Sequence, residues 1–380
     1  MSGVRIQLDN PHAFYTNLDF ISGKVVLTLS NEENVSAILV KLEGESKTML
    51  LRPAPAHDNR ERDTIAAENH KVLYKVQQVF PSQDPHTGLR SASAFTLPAG
   101  QHEYPFRLKF PINNNCEKQP QSYTVAGIKL MELPPHMQYK HVTQILPPSL
   151  SGFPGEAEIR YYLKVTVQRP SLFKGNRRSQ VGFKFLPIEP PRAGPSNAEV
   201  FARRPHTFQA GLSSYVRKPS LFSKKKPTVL SGTPPSVLVD ARLPSPAILT
   251  CNEPLPLKLF IKKQNNSPEY VYLMALQIEL IGHTHVRAQD VQRTETGNWV
   301  IASLSGLSLP ICKPSDTSES ASVVDGNLWN HIKLPHTVTP SFVTCNLARK
   351  YELEVRVTIG YGYPGEIQVR VSWSAKKMRH

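Results

Sequence analysis

At 380 residues with 34 prolines and a formal net charge of +15, the chain is too long for one ordinary sandwich and suits two domains of about 150 residues plus connectors. No apolar run approaches the roughly 18 residues of a membrane span, and dense Pro, Gly and Asn punctuation leaves little room for helices of normal length, so the chain reads as mostly β. The charge favours an anionic partner such as a membrane surface, nucleic acid or an acidic peptide, without choosing among them.

Val4, Ile6 and Leu8 alternate with Arg5 and Gln7, which predicts a short opening strand closed by the Asp9, Asn10, Pro11 turn. From Leu18 to Glu45 two alternating runs, one through Val25, Leu27 and Leu29 and one through Ile38, Val40 and Leu42, flank a polar turn. They predict a half-buried hairpin whose second strand ends on Gly44. Arg52 to His70 mixes charges and prolines and reads as a solvated loop, after which Lys71 to Phe80 resumes a strand. Further on, Pro98 and Gly100 form a turn, and Tyr104, Phe106, Leu108 and Phe110 share one face. Pro105 inside that run marks an edge strand or a bulge. Glu158 to Gln168 is a long alternating strand, and Lys174 to Pro190 adds one more short strand.

From Pro191 to Pro235 alternation fades while Pro, Ser and basic residues accumulate, which predicts an interdomain connector. It carries Arg203, Arg204, Arg217, Lys218, Lys224, Lys225 and Lys226, interleaved with Phe201, Phe208, Tyr215 and Phe222. Two readings stand: a segment that holds the protein on an anionic membrane, or a solvated linker that is basic because disorder favours charge. Ser179 follows Arg177 and Arg178, and Ser220 follows Arg217, Lys218 and Pro219; both resemble basophilic kinase targets.

The stretch from Ile248 to Gly282 then repeats the script of Leu18 to Glu45, again closing on a glycine, and Lys350 to Tyr361 has the rhythm of Glu158 to Gln168. Two related halves follow, placed at 1–190 and 236–380 with the connector at 191–235. Gly297 to Leu307 supplies another strand, and the acidic, Ser-rich Lys313 to Asn327 reads as a mobile loop. Ile367 to Ala375 ends the fold.

Cys116, Cys251, Cys312 and Cys345 lie far apart, with no Cys-x-x-Cys pair and no His at ligand spacing. That pattern argues against a disulfide scaffold or a zinc site and for buried or idle thiols in a reducing compartment. The opening lacks the layout of a secretory signal, so a soluble, cytosolic protein is expected. A Gly-x-Ser-x-Gly elbow, a Walker-type loop and a His-Glu-x-x-His helix are all missing, so neither an enzyme nor a bound metal or cofactor is expected. Nucleic acid is not an expected partner, since the basic residues are spread along alternating strands with no recognition motif.

Four stretches occur together in one order: ISGKVVLTLSNEENVSAILVKLEGE, LPAGQHEYPFRLKFP, GEAEIRYYLKVTVQRP, and LPSPAILTCNEPLPLKLFIKKQNNS with VTPSFVTCNLARKYELEVRVTIGY. On them the chain resembles the arrestin-like family, in particular the alpha-arrestin or arrestin-related trafficking adaptor group of fungi. The resemblance implies an all-β fold of two tandem immunoglobulin-like β-sandwich domains joined by the basic linker. It also implies an adaptor at the plasma membrane or endosomes that recognises transporter or receptor cargo and recruits a WW-domain ubiquitin ligase for endocytosis. The family's ligase contact is a Pro-Pro-x-Tyr motif, which this sequence lacks. Ser267, Pro268, Glu269 and Tyr270 form a degenerate version, so the ligase is expected directly, through Pro268 and Tyr270, or through another adaptor. The alternative is an arrestin-fold subunit of a sorting or signalling complex with no ligase coupling.

Overall fold

The structure is a computed structural model that describes residues 3–11, 14–53, 63–81, 94–114, 116, 124–125, 128–129, 142–153, 155–170, 175–189, 197–208, 233–318, 320–335, 337–363, 366–367 and 371–375. Strands dominate it. In chain order they are β1 (Gly3–Leu8), β2 (Phe20–Leu29), β3 (Glu33–Val35), β4 (Ala37–Arg52), β5 (Thr64–Phe80), β6 (Phe95–Leu97), β7 (Gly100–Lys109), β8 (Thr124–Val125), β9 (Ile128–Lys129), β10 (Leu150–Phe153), β11 (Ala157–Gln168) and β12 (Arg177–Phe183). They continue as β13 (Glu199–Thr207), β14 (Ser236–Pro244), β15 (Lys258–Lys263), β16 (Tyr270–Ala288), β17 (Val291–Cys312), β18 (Ala321–Val323), β19 (Phe342–Val343), β20 (Leu347–Tyr363), β21 (Glu366–Ile367) and β22 (Val371–Ala375). Among the described residues the helical structure is one 3-10 turn, Gly326–Leu328.

The chain divides into two compact units: unit 1 is Met1–Pro191 with Thr284–Glu295 and Thr339–Arg349, and unit 2 is Arg192–His283 with Thr296–Val338 and Lys350–His380. In unit 1 a three-stranded sheet in the order β1-β2-β7 and a five-stranded sheet in the order β10-β11-β4-β5, with β12 on β11, share one core. Val25, Leu27 and Phe106 come from the first sheet, and Ile38, Val40, Leu163 and Val165 from the second. That is a sandwich, with the inward positions of each strand two residues apart.

The stretch from Leu18 to Glu45 is not a hairpin. β2 pairs with β1 and β7, whereas β4 pairs with β5 and β11, so the chain crosses between sheets by way of β3. Alternation fixes which face of a strand is buried but is silent about its neighbour. β4 also runs eight residues beyond Gly44 to Arg52, against a β5 that begins at Thr64. The expected loop from Arg52 to His70 is therefore strand at its C-terminal end, where Ala66, Glu68 and His70 take the buried positions.

Unit 2 repeats the layout. Its sheets run β13-β14-β15-β18 and β17-β16-β20, with β21 and β22 on β20. β14-β15-β18 has the order of β1-β2-β7, and β17-β16-β20-β22 that of β5-β4-β11-β12. β15 and β16, like β2 and β4, sit in different sheets. Leu259, Ile261, Ile278, Val355 and Val357 are buried together, around a fully buried Trp329.

Both copies share a glycine device. Gly44 lies opposite Tyr161 on β11, and a Cβ placed there would come 2.6 Å from the Tyr161 ring. At Gly282 on β16 a Cβ would come 2.8 Å from Trp299 and 2.9 Å from Tyr351. The ring takes the space that a side chain would otherwise fill, as when aromatic groups cover strand glycines.

Two further expectations are corrected. The connector at 191–235 contains β13, paired in register with β14 from Glu199↔Pro244 to Thr207↔Ser236. It is an edge strand, and Pro205 with outward charges suits an edge that must not pair further. The stretch Lys313 to Asn327 includes β18 and most of the 3-10 turn, capped by the Asp325 side chain accepting from the Asn327 N–H.

Candidate functional site

Polar and sulfur side chains concentrate at one place in unit 1. Glu68 and His70 occupy alternate inward positions on β5, Cys116 follows β7, and Cys345 lies between β19 and β20 in the segment Thr339–Arg349. Asn346 secures that segment: its Nδ2 donates to the Ser46 carbonyl at 3.1 Å and to Thr48 Oγ1 at 3.1 Å, and its Oδ1 accepts from Ser46 Oγ at 2.7 Å. All three residues are buried, so each bond satisfies a group that water cannot reach.

Within the cluster the Cys116 Sγ is 3.4 Å from His70 Nδ1 and 3.5 Å from Cys345 Sγ, though the cysteines are 229 residues apart in sequence. His70 Nε2 meets Glu68 Oε1 at 2.5 Å. Glu68 accepts from Arg287 Nη2 at 3.0 Å and from the Gln289 N–H at 2.9 Å, and Arg287 also donates to the Cys345 carbonyl at 2.6 Å. The Val142 N–H donates to Cys345 Sγ at 3.3 Å. Burial works to lower the His70 pKa, but hydrogen bonds and charge from Cys345 and Glu68 outweigh it and raise the imidazole to about 9. Cys345 is held down to about 3, first by its hydrogen bond with Cys116 and then by His70 and the Val142 N–H, against burial. Cys116 is pushed upward, by Cys345 first and by burial second. Two cysteine sulfurs, an imidazole, a carboxyl group and a guanidinium thus sit side by side in a buried cluster, and their contacts push His70 up and Cys345 down.

The basic residues picked out in sequence do not gather at this cluster. Arg203 lies on β13, its Nε donating to Asp240 Oδ2 at 3.0 Å and its guanidinium 4.0 Å above the Phe201 ring. Asp240 is shared with Arg242, which also reaches Glu199, itself paired with Lys258. Arg203 is thereby committed to a mixed-charge face, while Arg204 is exposed on the same strand. Arg217, Lys218, Lys224, Lys225, Lys226 and Ser220 lie outside the described residues. Ser179 is half-buried on β12, opposite Val165.

With the fold in place, residues 4–124 match the family of the arrestin (or S-antigen) N-terminal domain. An arrestin-related trafficking adapter 10 of Lachancea thermotolerans is 30% identical over 135 residues, 33% of this chain and 31% of that protein. One from Eremothecium gossypii is 27% identical over 156 residues, 39% of this chain and 34% of its own length. Over about the first third of its length the chain is similar to an arrestin N-terminal domain. The match spans about a third of the length of these curated relatives.

The Pro268 and Tyr270 segment is built into the fold of unit 2. Ser267 and Glu269 are buried, the Ser267 carbonyl accepts from Lys263 Nζ at 2.9 Å, and Tyr270 opens β16. A WW groove binds an extended proline segment from outside, and here two of the four residues face inward. The thiol and imidazole cluster escaped sequence reasoning because its members are far apart in the chain. The one available signal was the polar inward alternation of Glu68 and His70, which an apolar pattern does not register.

Proposed function

We propose that the chain is a non-enzymatic adaptor in membrane protein trafficking, recognising transporter or receptor cargo and linking it to ubiquitin-dependent endocytosis. The observation that carries this reading is the arrestin-like N-terminal match together with two relatives that bear the name arrestin-related trafficking adapter. The protein acts in the cytoplasm, peripheral to the plasma membrane or endosomes. The described residues include no helix long and apolar enough to cross a membrane. Attachment to the anionic leaflet falls mainly to Arg217, Lys218, Lys224, Lys225 and Lys226, each worth roughly 1 kcal/mol near such a surface, because Arg203 already has partners. Phosphate on Ser220, among these residues, would weaken that attachment.

Burial of Ser267 and Glu269 favours ligase recruitment through another adaptor over direct contact at Pro268 and Tyr270. The same observation gives weight to a second reading, a sorting-complex subunit without a ligase. Proximity labelling in living cells separates the possibilities. The intact chain is expected to label integral membrane proteins and a ubiquitin ligase, and a variant with those five connector cations changed to glutamine should lose the membrane labelling. A constant soluble partner with no ligase would favour the second reading, and labelling of no membrane protein would remove both.

A further inference from the structure

We propose that His70 Nδ1, Cys116 Sγ and Cys345 Sγ form a zinc-binding site in unit 1. The three donor atoms lie within 4.8 Å of one another and belong to buried residues. An ion bound tetrahedrally at ordinary Zn–S and Zn–N lengths sets its sulfurs about 3.8 Å apart and a sulfur and nitrogen about 3.5 Å apart. The observed 3.5 Å between Cys116 and Cys345, and 3.4 Å between Cys116 and His70, are close to both.

The surroundings are those a metal-binding histidine needs. The ring nitrogen facing away from the sulfurs is held by Glu68, and Glu68 is itself fixed by Arg287 and the Gln289 N–H. A carboxylate behind the imidazole sets its orientation and raises its basicity as a ligand. The Val142 N–H adds a hydrogen bond to the Cys345 sulfur. Two thiolates balance a divalent zinc and Arg287 balances Glu68, so the loaded site is neutral, as a buried site should be. The fourth position of the ion falls to water. A cysteine pair that served only to form a disulfide would use neither the imidazole nor its carboxylate. The ion would tie Thr339–Arg349 to β5 and to the residues after β7, all within unit 1.

The test is the metal content of the purified full-length chain, prepared without chelator under a reductant that does not bind metal. About one zinc per chain is expected. Cobalt loading should give thiolate-to-cobalt charge-transfer absorption and tetrahedral visible bands. Cys116→Ser and Cys345→Ser should each cut bound zinc at least tenfold, while Cys251→Ser leaves it unchanged. If the cysteine variants fail to fold, Glu68→Gln keeps all three donors and should weaken zinc binding by about 10–100-fold. A folded wild-type chain that takes up neither zinc nor cobalt would overturn the site. So would a Cys116–Cys345 disulfide in protein isolated without exposure to oxidant. Zinc that survives undiminished in Cys116→Ser, Cys345→Ser and Glu68→Gln alike would overturn it too.

Discussion

Lys263→Met is expected to destabilise unit 2 near neutral pH by about 1–3 kcal/mol for each buried carbonyl left without its donor. Lys263 is fully buried, its Nζ donating to the Ser267 carbonyl at 2.9 Å and the Lys313 carbonyl at 2.6 Å. Burial lowers its pKa, while Cys312, Asp316 and Glu269 oppose that shift. Glu269 is buried as well, and desolvation raises its pKa against the pull of Lys263. Because the folded pKa of Glu269 lies above its unfolded value, its contribution is fully present below the unfolded pKa and is lost as pH rises through the folded one. Without Lys263 that folded pKa moves higher still and the loss grows. The deficit of Lys263→Met relative to the parent should therefore widen from acid to neutral pH, and Lys263→Met with Glu269→Gln should recover much of it. Urea unfolding across that range checks this, and parallel pH profiles for parent and variant would refute it.

Gly44→Ala and Gly282→Ala are each expected to cost about 1–3 kcal/mol, the range for overfilling a packed core. Gly44 should be the more sensitive. The Tyr161 ring is buried and its hydroxyl donates to the Pro147 carbonyl at 2.6 Å, so it has no room to withdraw. At Gly282 the nearer ring, Trp299, is only partly buried and can yield, which leaves the buried Tyr351 at 2.9 Å as the main obstacle. A double-mutant cycle pairing Gly44→Ala with Tyr161→Leu should be strongly non-additive, the double variant losing less than the sum of the singles. Additive losses would mean that the ring does not occupy the glycine's space.

The glycines were visible in the sequence as the closing residues of two similar stretches, but their role was not. Alternation located β2, β4, β11, β15, β16 and β20, because a half-buried strand must place apolar side chains at every second position. It misread their pairing, since the crossing through β3 and a tight turn have the same local polarity. It missed the start of β5, where the inward residues are Ala66, Glu68 and His70, and it took β13 for connector because Pro205 and three exposed outward side chains broke the apolar signal. Spacing rules for metal ligands look for neighbours in sequence. Cys116 and Cys345 become neighbours only when Thr339–Arg349 joins unit 1.

The proposed role is tested most directly by quantifying ubiquitylated surface proteins in cells with and without this chain. Removing it should leave a small, defined set of transporters or receptors stranded at the plasma membrane with reduced ubiquitin, and restoring the intact chain should reverse both effects. An unchanged surface and ubiquitin profile, under conditions where the chain is expressed, would contradict the account.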